Sequence, residues 1–251
     1  MPEVIAHRGA PVGVPENSLA AFDHAIRAGA DGIEFDVRLT SDRRPVVFHN
    51  FELDGAADIN GPLVSFTEEQ LRTVNLLSPN GQRHQIPSLE EVLDLAAGKT
   101  ILELELKALE LEIVATVAEA LRAHRKHWDS MEITCFEPAL LAAMKGHCSI
   151  PVDILMRASE PWMTPEYIVY SGIQRGRLSG ARAVHLQVGQ LSESVAERIR
   201  QEGFEVHVHG VNSRDDLSKA MGAGINRFDT DQLESVLGWL KESTHESPYI
   251  N

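Results

Sequence analysis

Cysteine is scarce: Cys135 and Cys148 are the only two among 251 residues. They form no CxxC motif and no disulfide framework, which excludes a stapled secreted scaffold and fits a reducing compartment. Long apolar runs are missing as well. No stretch approaches the ~18 residues that a membrane-spanning helix requires. No basic, apolar and small-residue succession marks a secretory leader, so the reading predicts a cytoplasmic protein with no stable membrane association. Positive charge is the third scarcity. There are 23 Lys and Arg against 37 Asp and Glu, a net charge of −14, which argues against nucleic acid and anionic membrane surfaces as partners. An anionic small molecule remains compatible, because a pocket can be positive on an acidic protein. No Pro/Ser-rich linker divides the chain, so residues 1–251 read as a single domain of undefined oligomeric state.

What is present is alternation. Strand-like segments such as "VIAH", "GIEFDVRL", "TILELELK", "MEITCF", "VDILM", "AVHLQV", "FEVHVHGV" and "INRFDTD" precede helix-like ones such as "NSLAAFDHAIRAGA", "LEIVATVAEALRAH" and "SESVAERIRQEG". "SLEEVLDLAAG" opens with a capping box, Ser88 to Glu91, and closes near Gly98. Eight strand–helix units recur at roughly 30-residue spacing, the pattern of an α/β (β/α)8 TIM barrel. A doubly wound open sheet is the rival, but no GxGxxG follows the first strand. Residues 51–85, after "PVVFH", break the alternation and read as an insertion with a short helix near "TEEQLRTV". Residues 157–182 carry no clear period.

Several strands have a polar face. Residues two apart on a strand share a face, so Glu103, Glu105 and Lys107 oppose Leu102, Leu104 and Leu106, and Glu34 with Asp36 opposes Ile33, Phe35 and Val37. His207 with His209, and His185 with Gln187, behave likewise. One such strand is an ordinary half-wet antiparallel edge. Four of them, each flanked by helices, point instead to a polar barrel interior and a site at its C-terminal rim. Glu34, Asp36 and Glu105 put three carboxylates on two neighbouring strands; like charges there raise one another's pKa, and a divalent cation relieves the conflict. All-oxygen ligation favours Mg2+ or Ca2+ over zinc. His7 and His49 end strands on the same rim and suit acid–base work near neutrality. Arg8 and Lys107 add fixed positive charge, and a guanidinium offers a forked donor to phosphate oxygens.

The motifs "AHRG", "PENSLAAF", "GADGIEFDVRLTSD", "PVVFHN" and "LELK", in that order, resemble the glycerophosphodiester phosphodiesterases. The likeness is dense over residues 4–55, recurs at 101–107 and returns weakly at 204–231. The resemblance implies metal-dependent hydrolysis of a small phosphodiester to sn-glycerol 3-phosphate and an alcohol. It makes His7 and His49 the general acid/base pair, Arg8 and Lys107 the phosphate contacts, with Lys107 supporting phosphate or a ligand carboxylate, and Glu34, Asp36 and Glu105 the metal ligands. It also implies that the glycerol 2-hydroxyl is the internal nucleophile and that the insertion is a small subdomain over the barrel mouth. His185, Gln187, His207 and His209 are possible substrate contacts.

The chain departs from the family pattern at Asn50, where aspartate is usual, at His209–Gly210, where Trp-Thr is frequent, and at Asn226–Arg227. The altered groove leaves open another phosphodiester, such as a lysophospholipid or a glycerol-bearing polymer fragment, and a non-catalytic binder on the same barrel. Cys135 reads as a small buried residue, not a nucleophile. Glu103 reads as meeting a partner inside the barrel.

Overall fold

Strand β1 (Glu3–Ala6) hydrogen-bonds to β2 (Gly32–Leu39) on one side and to β9 (Arg227–Thr230) on the other, so the sheet has no free end. The structure is a computed structural model that describes residues 1–245. Between those strands come β3 (Pro45–Val47), β4 (Ile101–Leu106), β5 (Met131–Cys135), β6 (Val152–Leu155), β7 (Ala183–Gln187) and β8 (Glu205–His209). The order around the sheet is β1-β9-β8-β7-β6-β5-β4-β2, closed by β1 with β2, and every one of these pairings is parallel. Only β3 runs antiparallel, as an outer hairpin on β2. The architecture is a (β/α)8 barrel.

Helices α1 (Leu19–Ala28), α2 (Glu68–Leu71), α3 (Leu89–Ala96), α4 (Glu112–Arg122), α5 (Pro138–Met144), α6 (Pro165–Ser179), α7 (Glu193–Gln201), α8 (Arg214–Gly222) and α9 (Leu233–His245) complete the fold. All but α2 follow barrel strands and cover them. Ser18 caps α1 by accepting the Ala21 N–H, and Gly29 stops it in a left-handed conformation. Phe22 on α1 meets Phe35 on β2 with ring centroids 5.7 Å apart. The Ser88–Glu91 capping box forms reciprocally at the start of α3. Leu102, Leu104 and Leu106 of β4 are buried under the helices, leaving Glu103 and Glu105 to face inward.

Helix α6 occupies the stretch that had no readable period. Its buried stripe includes Gly172 and Gly176 beside Ile168, Val169 and Ile173. A Cβ on Gly176 would lie 2.6 Å from the Phe204 ring. Close approach to the barrel is achieved there by glycine instead of by an apolar side chain, so a hydrophobic period cannot register it.

The segment between β3 and α3 folds around a core of its own, in which Phe48, Leu53, Leu63, Leu71, Val74, Leu76 and Ile86 pack together with Val46. Its helix α2 is a single turn with a Thr67–Gln70 capping box.

The inner face of the barrel is polar in register. Glu34 stands opposite Glu103 and Asp36 opposite Glu105; His185 stands opposite His207 and Gln187 opposite His209. Toward the barrel floor, Arg182 bridges Glu132 and Asp153, and Arg227 reaches Glu132 and Glu3. Buried Glu132 and Asp153 are tolerable because each is paired. Gly32 lies on this inward face, where an added Cβ would sit 2.6 Å from Ile5 Cδ1 and 3.0 Å from the Ile101 carbonyl oxygen. Gly32→Ala should therefore lower stability by about 1–3 kcal/mol through overpacking. The check is a lower denaturant midpoint at unchanged m-value.

Candidate active site

The site begins with a backbone kink. Directly after β1, His7–Gly9 form a 3-10 turn. Arg8, Gly9 and Ala10 all have positive φ, at 50°, 84° and 43°. For the two residues with a Cβ this is a strained region. A Cβ at Gly9 would lie 2.9 Å from the Ala21 backbone, so only glycine lets the turn rest on α1. The kink sends the Arg8 N–H into the barrel mouth, where it donates to Glu34 Oε2 at 3.0 Å.

Glu34, Asp36 and Glu105 each bring a carboxylate oxygen within 4.8 Å of the others', and all three are buried. Asn17 Nδ2 donates to Asp36 Oδ2 at 2.8 Å. Arg8 Nε lies 3.3 Å from the same oxygen. Lys107 Nζ stands 2.9 Å from Glu105 Oε1 and 3.5 Å from Asp36 Oδ1, yet neither of these oxygens accepts a directed hydrogen bond. Three converging carboxylates, with two of their oxygens free of such a bond, fit a hard divalent cation. Arg38 ties the rim together by donating to the His49 carbonyl at 2.9 and 2.6 Å and to the Lys107 carbonyl at 2.9 Å.

The electrostatics match an under-compensated anion cluster. Burial, with Asp36 beside it, pushes the Glu34 carboxyl up to about 8. Burial and the same neighbour raise Glu105. Burial works against Asp36 too, but Lys107 and Arg8 overcome it and hold Asp36 below the usual carboxylate range.

The two histidines are held unequally. His7 Nδ1 lies 2.6 Å from Asp231 Oδ1, and its Nε2 is 3.9 Å from Glu34 Oε2. Burial opposes a charge on His7, but the carboxylates of Asp231, Asp229 and Glu34 together outweigh it and the imidazole is raised to about 10. Asp231 is fixed in turn by Asn212, whose Nδ2 donates to it at 2.7 Å. His49 Nδ1 instead meets the neutral Asn50 Oδ1 at 2.9 Å. Burial then prevails and lowers its pKa. Asn50, the departure from aspartate, thus touches the second histidine directly.

His7, Arg8, Glu34, Asp36, Glu105 and Lys107 are linked by these contacts, and His49 lies within the electrostatic reach of Asp36. Gln187 and His209 are half-buried, whereas His185 and His207 are each only 2 % exposed, inside the barrel. Sequence reasoning gave no role to Glu16, which accepts from Arg8 Nη1 at 3.1 Å, nor to Asn17, Asn212, Asp229 or Asp231. All but Asn212 lie within the quoted stretches "PEN" and "FDTD", whose motif positions were the available signal; Asn212 lies in "VHGVN".

Residues 7–235 match the Glycerophosphoryl diester phosphodiesterase family. The chain belongs to this family. Among glycerophosphoryl diester phosphodiesterase relatives, a glycerophosphodiester phosphodiesterase of Caldanaerobacter subterraneus subsp. tengcongensis is 26% identical over 95% of this chain and 98% of its own. Two solved structures share the fold. A phosphodiesterase of Oleispira antarctica, in complex with the product sn-glycerol-3-phosphate, has a TM-score of 0.83 at 23% identity, covering 96% of this chain and 97% of its own. A glycerophosphodiester phosphodiesterase of Thermotoga maritima has a TM-score of 0.75 at 24% identity, covering 95% and 98%.

In this member of the glycerophosphoryl diester phosphodiesterase family, Cys135 is enclosed at the end of β5. Its thiol is 1% exposed and burial pushes it up to about 12. Alkylation of Cys135 at mildly alkaline pH should require unfolding, and peptide mapping of iodoacetamide-treated protein before and after denaturant checks this. For His7, a raised folded-state pKa means that its charge stabilises the fold fully below about pH 6.5, with the contribution lost as pH rises toward about 10. In cation-free protein, Asp231→Asn should flatten that decline in denaturation midpoints and lower the His7 pKa seen by NMR titration.

Proposed function

We propose that this chain hydrolyses glycerophosphodiesters to sn-glycerol 3-phosphate and an alcohol, with His7 and His49 as its proton-transfer pair. The observation that carries this reading is the unequal support of the two imidazoles beside one buried carboxylate cluster. Paired groups whose environments drive their pKa values apart divide into an acid and a base. His7, on the Asp231 carboxylate, enters the reaction protonated. His49 donates its Nδ1 proton to Asn50, which leaves Nε2 as an acceptor.

The chemistry balances on these two groups. His49 takes the proton of the glycerol 2-hydroxyl as that oxygen attacks phosphorus. The bond from phosphorus to the leaving alcohol breaks, and His7 supplies the proton that alcohol needs. Water then opens the cyclic phosphate with the roles exchanged, so both histidines return to their starting states. Arg8 and Lys107 retain N–H donors beyond those spent on Glu16, Asp36 and Glu105, and these meet the phosphate oxygens. Glu34, Asp36 and Glu105 would hold the divalent cation, Mg2+ or Ca2+, which when bound supplies charge neutralisation to the phosphate. The relative from Oleispira antarctica, with sn-glycerol-3-phosphate bound on the same fold, supports the choice of substrate class.

Glycerophosphocholine should release sn-glycerol 3-phosphate and choline, followed by enzyme-coupled assay. Chelator should abolish release and Mg2+ or Ca2+ restore it. His7→Ala and His49→Ala should each lower kcat by about 10²- to 10⁴-fold. Full activity in chelator would remove the cation, an unimpaired His49→Ala would remove the pair, and failure across a panel of glycerol-bearing diesters would remove the substrate.

A further inference from the structure

Below the three carboxylates the barrel holds a second set of ligand-type side chains of different chemistry. Glu103 precedes Glu105 by two residues on β4, about 7 Å deeper along the strand. It stands opposite Glu34 in the β2–β4 register. Glu103, His185 and His209 each place a ligand atom within 4.8 Å of the others'. We propose that Glu103, His185 and His209 form a second cation site, selective for a first-row transition ion of the Zn2+ type.

Three observations carry the assignment. The first is unmet donor capacity. Glu103 is 2 % exposed, yet its Oε1 has no hydrogen-bond partner, and the buried Nε2 of His209 has none either. Bare polar atoms in a barrel interior are costly, and native structures rarely leave them so. The second is orientation. His209 Nδ1 is hydrogen-bonded to Asp229 Oδ2, and Asp229 Oδ1 accepts the Gly210 N–H at 2.7 Å. A carboxylate on one imidazole nitrogen fixes the ring with its other nitrogen bare, the arrangement that metal-binding histidines use. His185 is held by a neighbouring imidazole instead of a carboxylate. Its Nε2 lies 2.9 Å from His207 Nδ1, and its Nδ1 lies 3.5 Å from Glu103 Oε1. That last spacing is close to the edge of a tetrahedron built on bonds of about 2.0–2.1 Å.

The third observation is the donor set itself. Two imidazoles and one carboxylate match zinc and its neighbours, not Mg2+ or Ca2+. The site is therefore chemically distinct from the all-oxygen trio above it. A neighbouring group, Glu132, Asp153, His185 and His207, also converges. There the guanidinium of Arg182 already bridges both acids and that of Arg227 also reaches Glu132, so positive charge is supplied by the chain. No guanidinium or ammonium ion-pairs with Glu103 among the described residues.

The test reads binding, not turnover, so its outcome is independent of the phosphodiesterase reading. The full chain is stripped with chelator, saturated with Mg2+, and titrated with Zn2+ by calorimetry. One Zn2+ per chain is expected, with a rise in Tm from preferential binding to the folded state. Glu103→Gln and His209→Phe should each weaken Zn2+ by at least about tenfold, and Asp229→Asn by about 10- to 100-fold. Asp36→Asn should leave Zn2+ binding in place. Co2+ loaded into the wild-type chain should show the visible absorption of an imidazole-ligated, low-coordinate ion, a readout that needs no variant to fold. Absence of Zn2+ binding in the presence of Mg2+, or binding untouched by Glu103→Gln and His209→Phe, would overturn the assignment. A Co2+ spectrum of purely six-coordinate oxygen ligation would do the same.

Discussion

The organising constraint of this molecule is negative charge enclosed in a barrel. Glu34, Asp36, Glu103, Glu105, Glu132, Asp153 and Asp229 are all buried, and a carboxylate deprived of water must be paired, protonated or bound to a cation. The chain meets this demand by depth. At the floor, Arg182 and Arg227 supply fixed guanidinium charge to Glu132 and Asp153. At the mouth, Lys107 and Arg8 reach Asp36, and Lys107 also reaches Glu105, but Glu34 stays high because burial, joined by the neighbouring Asp36 charge, outweighs the pull of His7. The mouth is thus a place where positive charge from outside is favoured, which is where a family of phosphodiesterases needs it.

The same constraint explains the strained turn after β1. Arg8 and Ala10 hold a left-handed backbone, and Gly9 lies flat on α1 where no Cβ fits. In return, one peptide N–H, one guanidinium and one imidazole are delivered to the carboxylates from two consecutive residues: the Arg8 backbone to Glu34, the Arg8 side chain to Asp36, and His7 to within 3.9 Å of Glu34. Strain of this kind persists only where surrounding contacts over-determine it. Here Asp231 on His7 and Glu16 on Arg8 do so from elements at opposite ends of the chain.

Much of this was legible in the residues. Alternating segments, the Ser88–Glu91 box and the paired faces of "IEFDV" and "ILELELK" led to the barrel and to the carboxylate trio, because period two on a strand is a local property. Helix α6 was not legible, since its packing face is partly glycine. Asn50 was legible as a neighbour able to alter His49, but the partner of His7 was not. Asp231 lies 224 residues from His7 in sequence, and no local pattern connects them.

By itself, then, the amino-acid sequence determined which side chains share a face and which motifs stand together, since these follow from backbone geometry within a few residues. Tertiary structure alone decided the opposite pKa shifts of His7 and His49, the pairing of Glu132 and Asp153 with arginine, and the depth at which His185 and His207 lie. Those properties arise from closure of the barrel, which sets β1 between β2 and β9 and brings charges from distant segments into a medium with too little water to screen them.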